Sequence, residues 1–197
     1  MKKYDFHNLW TLNYPNTIPL SHKFKFAYND RWFRIHSLPK SKRYADNETE
    51  WKILLSRQNE IITDLFGLKT NIFIVRGEYY INKESEINKQ TKNEYFNEYS
   101  FIKLDDIDLY KVNSDDYSNG EIFKTSFAKT IWKPKLHNNL LREIAEDNTR
   151  AFFINFEKDI IVAPYDGGID FILKDSSTKD FYKNKYNQYL SDREDGM

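Results

Sequence analysis

The chain runs to 197 residues with no cysteine, 40% hydrophobic and 17% aromatic content, and 30 basic residues against 30 acidic ones. That is enough length and apolar material to close a core, while the missing cysteine excludes disulfides, cysteine-ligated zinc, iron–sulfur clusters and thiol nucleophiles. The balanced charge removes the global attraction on which nucleic-acid binders and polybasic membrane binders rely, so neither a nucleic acid nor a membrane is expected as a partner.

Residues 1–20 carry Pro15 and Pro19 and read as an irregular N-terminal arm, although Phe6, Trp10 and Tyr14 have the spacing of a short helical turn. An acid and a histidine interrupt the opening stretch where a signal peptide needs an apolar run, and no window approaches the ~18 apolar residues of a membrane span. A cytoplasmic protein forming one domain over 1–197 is the expectation. From Lys23 to Leu38, aromatic and β-branched residues predict two short strands separated by Tyr28-Asn29-Asp30, the second strand being Arg31 to Ser37.

Asn47, with Glu50 three positions on, has the form of a capping box. Trp51, Leu54, Leu55, Gln58, Ile61, Ile62, Leu65 and Phe66 then follow a helical stripe that Gly67 stops. Asn71 to Tyr80 reads as a strand, and the polar stretch 83–97 as a mobile loop. Strands near Phe101 to Val112 and Ile122 to Trp132 flank turn-forming residues, which predicts a hairpin.

Pro134 suits the first turn of a second helix with Leu136, Leu140, Leu141 and Ile144 as its buried stripe. Strand-like runs follow at Ala151 to Phe156, Ile160 to Ala163 and Ile169 to Leu173. Asp175 then opens a C-terminal helix that places Phe181, Tyr182, Tyr186, Tyr189 and Leu190 on one face. Two to three helices among six to eight strands, joined by hairpins rather than βαβ units, predict an α+β fold: a mostly antiparallel sheet with helices packed on it.

Two residue groups could carry chemistry. If Arg31 to Ser37 is extended, Trp32, Arg34 and His36 share one face, and with Lys42 and Arg43 in the loop beyond they could bind a phosphate or carboxylate. The structural alternative is an ordinary salt-bridged sheet face. In Ala163-Pro164-Tyr165-Asp166-Gly167-Gly168-Ile169-Asp170, the Asp-Gly-Gly run suits a tight hairpin in which glycine tolerates positive φ. Asp166 and Asp170 could instead serve as a carboxylate pair for general-base work. His36, Asp166 and Asp170 are therefore the catalytic candidates, and Arg34, His36, Lys42 and Arg43 the ligand-binding ones. No metal site and no cofactor is expected, since two carboxylates are a weak metal signal and no P-loop, GxGxxG, HExxH or GxSxG is present.

The run Arg31-Trp32-Phe33-Arg34-Ile35-His36-Ser37-Leu38-Pro39 with Ser41-Lys42-Arg43-Tyr44, the Ala163 to Asp170 run, and a C-terminal Lys185-Tyr186 with the ending Leu190 to Gly196 together resemble an uncharacterised bacterial domain-of-unknown-function family of small cytosolic proteins. That resemblance implies kinship and no mechanism; small α+β bacterial proteins of this kind are often immunity or partner-binding proteins. Two readings follow. One is a protein-binding module, such as an immunity or inhibitor protein for a toxin, which fits the abundant aromatics. The other is an enzyme or ligand-binding protein acting on a phosphate- or carboxylate-bearing small molecule, which requires the two motif regions to converge in one cleft. Stacking aromatics permit a third, nucleic-acid reading, against which the net charge of zero argues.

Overall fold

One antiparallel sheet organises residues 2–81, 96 and 98–191, the part of the chain that the computed structural model describes. Its strands are β1 (Trp32–His36), β2 (Thr70–Ile81), β3 (Ile102–Lys103), β4 (Ile107–Asp108), β5 (Glu121–Trp132), β6 (Ala151–Asn155), β7 (Ile160–Tyr165) and β8 (Gly168–Ile172). They lie in the order β1-β8-β7-β6-β2-β5-β3, with β4 also paired to β5. The fold is α+β, as the hairpin-rich pattern predicts.

Alternation along the strands creates two buried faces. Phe33 and Ile35 of β1, with Ile169 and Phe171 of β8 and Phe153 of β6, face α3 (Glu48–Phe66), α5 (Asn138–Ala145) and Tyr186, which follows α6 (Ser176–Lys185). Ile161 and Ala163 of β7, with Phe152 and Ile154 of β6 and Phe127 of β5, face α1 (Lys3–Asn13) and α2 (Phe24–Ala27). The remaining helix, α4 (Leu109–Val112), follows β4 directly.

The 19-residue α3 forms as its stripe and cap dictate. The Asn47 side chain accepts from the backbone N–H groups of Thr49 and Glu50, both at 3.0 Å, a cap worth about 1 kcal/mol. Gln58, the polar member of the stripe, is buried and donates to Ser37 Oγ at 2.8 Å, so its place on the core side is chemically satisfied on one of its atoms.

Several elements differ from the sequence reading. The six α-helices among the described residues exceed the two or three expected. The N-terminal stretch read as an irregular arm contains α1, whose Phe6 and Trp10 pack in the core while Pro15 waits until the helix has ended. The first of the two strands expected in Lys23 to Leu38 is helical: a 3₁₀ turn Ser21–Lys23 runs into α2. The alternating Phe24-Lys25-Phe26 mimics a strand, but only Phe24 is buried, against Trp10 and Phe152, and a helical turn sends Phe26 outward. The 101–112 strand breaks into β3, β4 and α4, all on the β5 side as the hairpin expectation requires. Helix α5 begins at Asn138, after Leu136, which is exposed along with Phe181 of α6. The 83–97 loop lies outside the described residues apart from Phe96, as does the charged ending from residue 192.

Candidate functional site

The antiparallel pairing of β1 with β8 sets Arg34 directly opposite Asp170. The guanidinium meets the carboxylate in a two-pronged contact, Nε to Oδ1 at 2.7 Å and Nη2 to Oδ2 at 2.8 Å. Arg34 also lies over the Tyr165 ring, 4.5 Å from its centroid. Burial works against the Arg34 charge, but the hydrogen bonds and attraction of Asp170 more than offset it and raise its pKa. The Tyr165 phenol is pushed up to about 12, chiefly by burial.

Asp166 and Gly167 form the two-residue connection between β7 and β8, since Tyr165 pairs with Gly168. Neither glycine of the Asp-Gly-Gly run has a positive φ. The requirement for glycine is instead close approach: a Cβ on Gly168 would stand 1.9 Å from the Ile35 carbonyl oxygen of β1. Beyond β1, Lys40 and Ser41 adopt φ of 56° and 54° and reverse the chain. The reversal returns Arg43 and Tyr44 over the turn, where the Arg43 guanidinium pairs with Asp166 and the Tyr44 hydroxyl donates to Asp166 Oδ2 at 2.9 Å.

Arg34, Arg43, Asp166 and Asp170 thus line one cleft of about 290 Å³, so the two motif regions do converge. The other two candidates lie elsewhere. Lys42 turns to the start of α3 and contacts Asp46 at 2.7 Å and Glu50 at 2.6 Å. His36 is buried at the end of β1 and does not line the cleft; neither ring nitrogen has a partner in hydrogen-bond geometry. Burial, and then the charges of Arg34 and Arg57, hold its imidazole below the ordinary histidine value against an opposing pull from the Gly167 backbone.

The cleft also takes walls that the sequence reading missed: Lys25 of α2, and Asp147 and Arg150 from the turn after α5. No local pattern marks these residues, because Lys25 arrives with α2 and Asp147 and Arg150 with the turn after α5, and only tertiary packing gathers them at one cleft. Cations outnumber carboxylates four to three around the cleft, and His22, which also lines it, is held neutral, its pKa lowered to about 4 by burial and neighbouring cations. Chemically, Asp166 and Asp170 are each committed to an arginine and Asp147 lies 3.7 Å from Arg150, so none of the three carboxylates stands ready as a free base.

The cleft and both motif regions fall within residues 20–194, which match the family model described as Domain of unknown function (DUF3885). The chain belongs to this family. Comparison of this DUF3885 chain with curated proteins and with solved structures found no match. Helix α1 precedes the matched span, whereas all six candidate residues lie inside it. Among the described residues of this DUF3885 protein, no helix is long and apolar enough to cross a membrane.

Proposed function

We propose that this DUF3885 chain is a protein-binding module of the immunity or inhibitor kind, one that holds a partner rather than transforming a substrate. The observation that carries the reading is the outward side of the N-terminal helical cap, where Tyr4, Leu12 and Phe26 stand 73%, 78% and 72% exposed. Tyr4 and Leu12 rise from α1 about a quarter turn apart. Large apolar side chains held on short helices over a rigid sheet cost water contact unless a partner covers them, and they give contact area at low entropic cost. The pairing of Asp166 and Asp170 with arginines supports binding over catalysis.

The test is capture of a specific stoichiometric partner from native cells by the tagged protein, compared with the Leu12→Asp/Phe26→Asp double variant. The wild-type chain is expected to retain a partner that the variant loses while its circular dichroism is unchanged. Recovery of nothing specific by the wild-type chain removes the reading.

A second reading, binding of a phosphate- or carboxylate-bearing small molecule, draws support from the cleft. The Arg43 side chain is 63% exposed there beside Lys25 and Arg150. Calorimetric titration with inorganic phosphate and with succinate is expected to give saturable heat that Arg43→Ala abolishes. Flat titrations with both anions would leave the cleft a purely structural feature.

A further inference from the structure

A second cavity, of about 240 Å³, opens under α1 between that helix, the segment Tyr14 to Pro19 and the β3–β4 connection. Its walls include Phe6, Trp10, Ile18, Leu104 and Ile107, and its floor includes Thr125 of β5. On the same strand face, Phe127 belongs to the cluster beneath α1 while Phe123 belongs to a separate cluster with Leu20 and Leu109. Thr125 stands between them, so the cavity occupies the seam where two apolar clusters fail to meet.

Two residues that line the cavity, Tyr14 and Thr125, have buried hydroxyls without a hydrogen-bond partner, and Thr125 is the one on its sheet floor. It is 2% exposed, its Oγ1 has no hydrogen-bond partner, and the alternation of β5 directs its side chain to the same face as Phe123 and Phe127, toward the cavity. A buried hydroxyl left unpaired is destabilising relative to one that is bonded, and valine would fill the same space without that cost. Charge at the rim is already spent: Lys3 pairs with Asp105, and Lys103 approaches Asp106 at 3.4 Å. The rim therefore selects neither sign, and the walls select apolar surface.

We infer that this cavity is a binding site for a small, uncharged, ring-bearing molecule with one hydroxyl, which exchanges a hydrogen bond with Thr125 Oγ1 while its ring packs on Phe6 and Trp10. The size is adequate, because a dry apolar cavity of about 150 Å³ takes up benzene. The site is independent of the partner-binding surface and of the arginine-lined cleft. It is built from this chain's own N-terminal segment, since α1 and the residues through Pro19 lie before the span matched by the family model.

The experiment follows the indole N–H resonance of Trp10, which donates to the Thr17 carbonyl at 2.8 Å on the cavity wall, during titration of the full chain with benzyl alcohol and with toluene. Assignment comes from the Trp10→Phe variant. Benzyl alcohol is expected to saturate the shift and to bind about tenfold tighter than toluene, the equivalent of one net hydrogen bond. Thr125→Val is expected to fold at least as stably and to erase that preference while both rings still bind. No saturable shift with benzyl alcohol up to its solubility, as a cavity holding only water would give, overturns the proposal. So does an undiminished preference for the alcohol in Thr125→Val.

Discussion

The two cavities on the α1 and α2 side of the sheet are of similar size and opposite chemistry. The cleft at β1, β7 and β8 is rich in charge, yet Arg34, Arg43, Asp166 and Asp170 are satisfied by one another. The cavity under α1 is poor in charge, yet it holds a buried hydroxyl with no partner. A polar group marks a site by what it lacks, so the residue types that attract notice in a sequence are here the ones the fold has already employed. If that contrast holds, removing a group from the cleft destabilises the protein, whereas removing the unpaired group from the cavity does not.

The largest effect is expected at Arg34. Arg34→Ala leaves Asp170 buried without its counter-charge and is expected to cost about 3 kcal/mol in urea unfolding, while Arg34→Leu/Asp170→Leu recovers most of that loss. A cost under half of this for the single variant would mean that solvent reaches the pair and that the cleft is softer than its geometry. Gly168→Ala should follow at about 2 kcal/mol, because the added methyl forces β1 away from β8 at the Ile35 carbonyl; a wild-type melting temperature would refute the close approach. Thr125→Val carries the opposite sign, with stability unchanged or raised by up to about 1 kcal/mol, and a clear loss would show the hydroxyl bonded after all.

The smallest effect concerns pH. His137 is buried, with Nδ1 2.7 Å from the Tyr99 hydroxyl and Nε2 3.0 Å from the Ile131 carbonyl, so the neutral ring donates from Nε2 and accepts at Nδ1. Burial holds its pKa below the ordinary value of 6.5, as it does for His22. The unfolded chain therefore binds more protons than the folded one once pH falls below about 6.5, and stability declines as pH falls from there. His137→Gln should flatten that slope more than His22→Gln, since His22 is more exposed and solvent screens it. Melting curves across the window decide it.

Much of this fold was legible from residue order. The α3 stripe and its Asn47 cap lie within 20 consecutive residues, and β6, β7 and β8 are separated by short turns, so local chemistry specifies them. The KFKFA segment misled because alternation cannot tell a strand from a short helix with one face exposed. The candidate cleft was half legible: its motif residues were visible, but Arg34 and Asp170 are 136 positions apart, and only strand register makes them partners. Lys25, Arg150 and Thr125 carried no signal, because their significance lies in what surrounds them after folding.

That cross-strand ion pair also acts as a proofreader. β1 sits at the sheet's edge and must find β8 across most of the chain's length. A slip of one residue would bring Arg34 opposite Ile169 or Phe171, turn Phe33 and Ile35 toward the wrong face, and leave both charges stranded in apolar surroundings. An edge strand far in sequence from its partner thus carries its own check on alignment, since only one register keeps both charges paired.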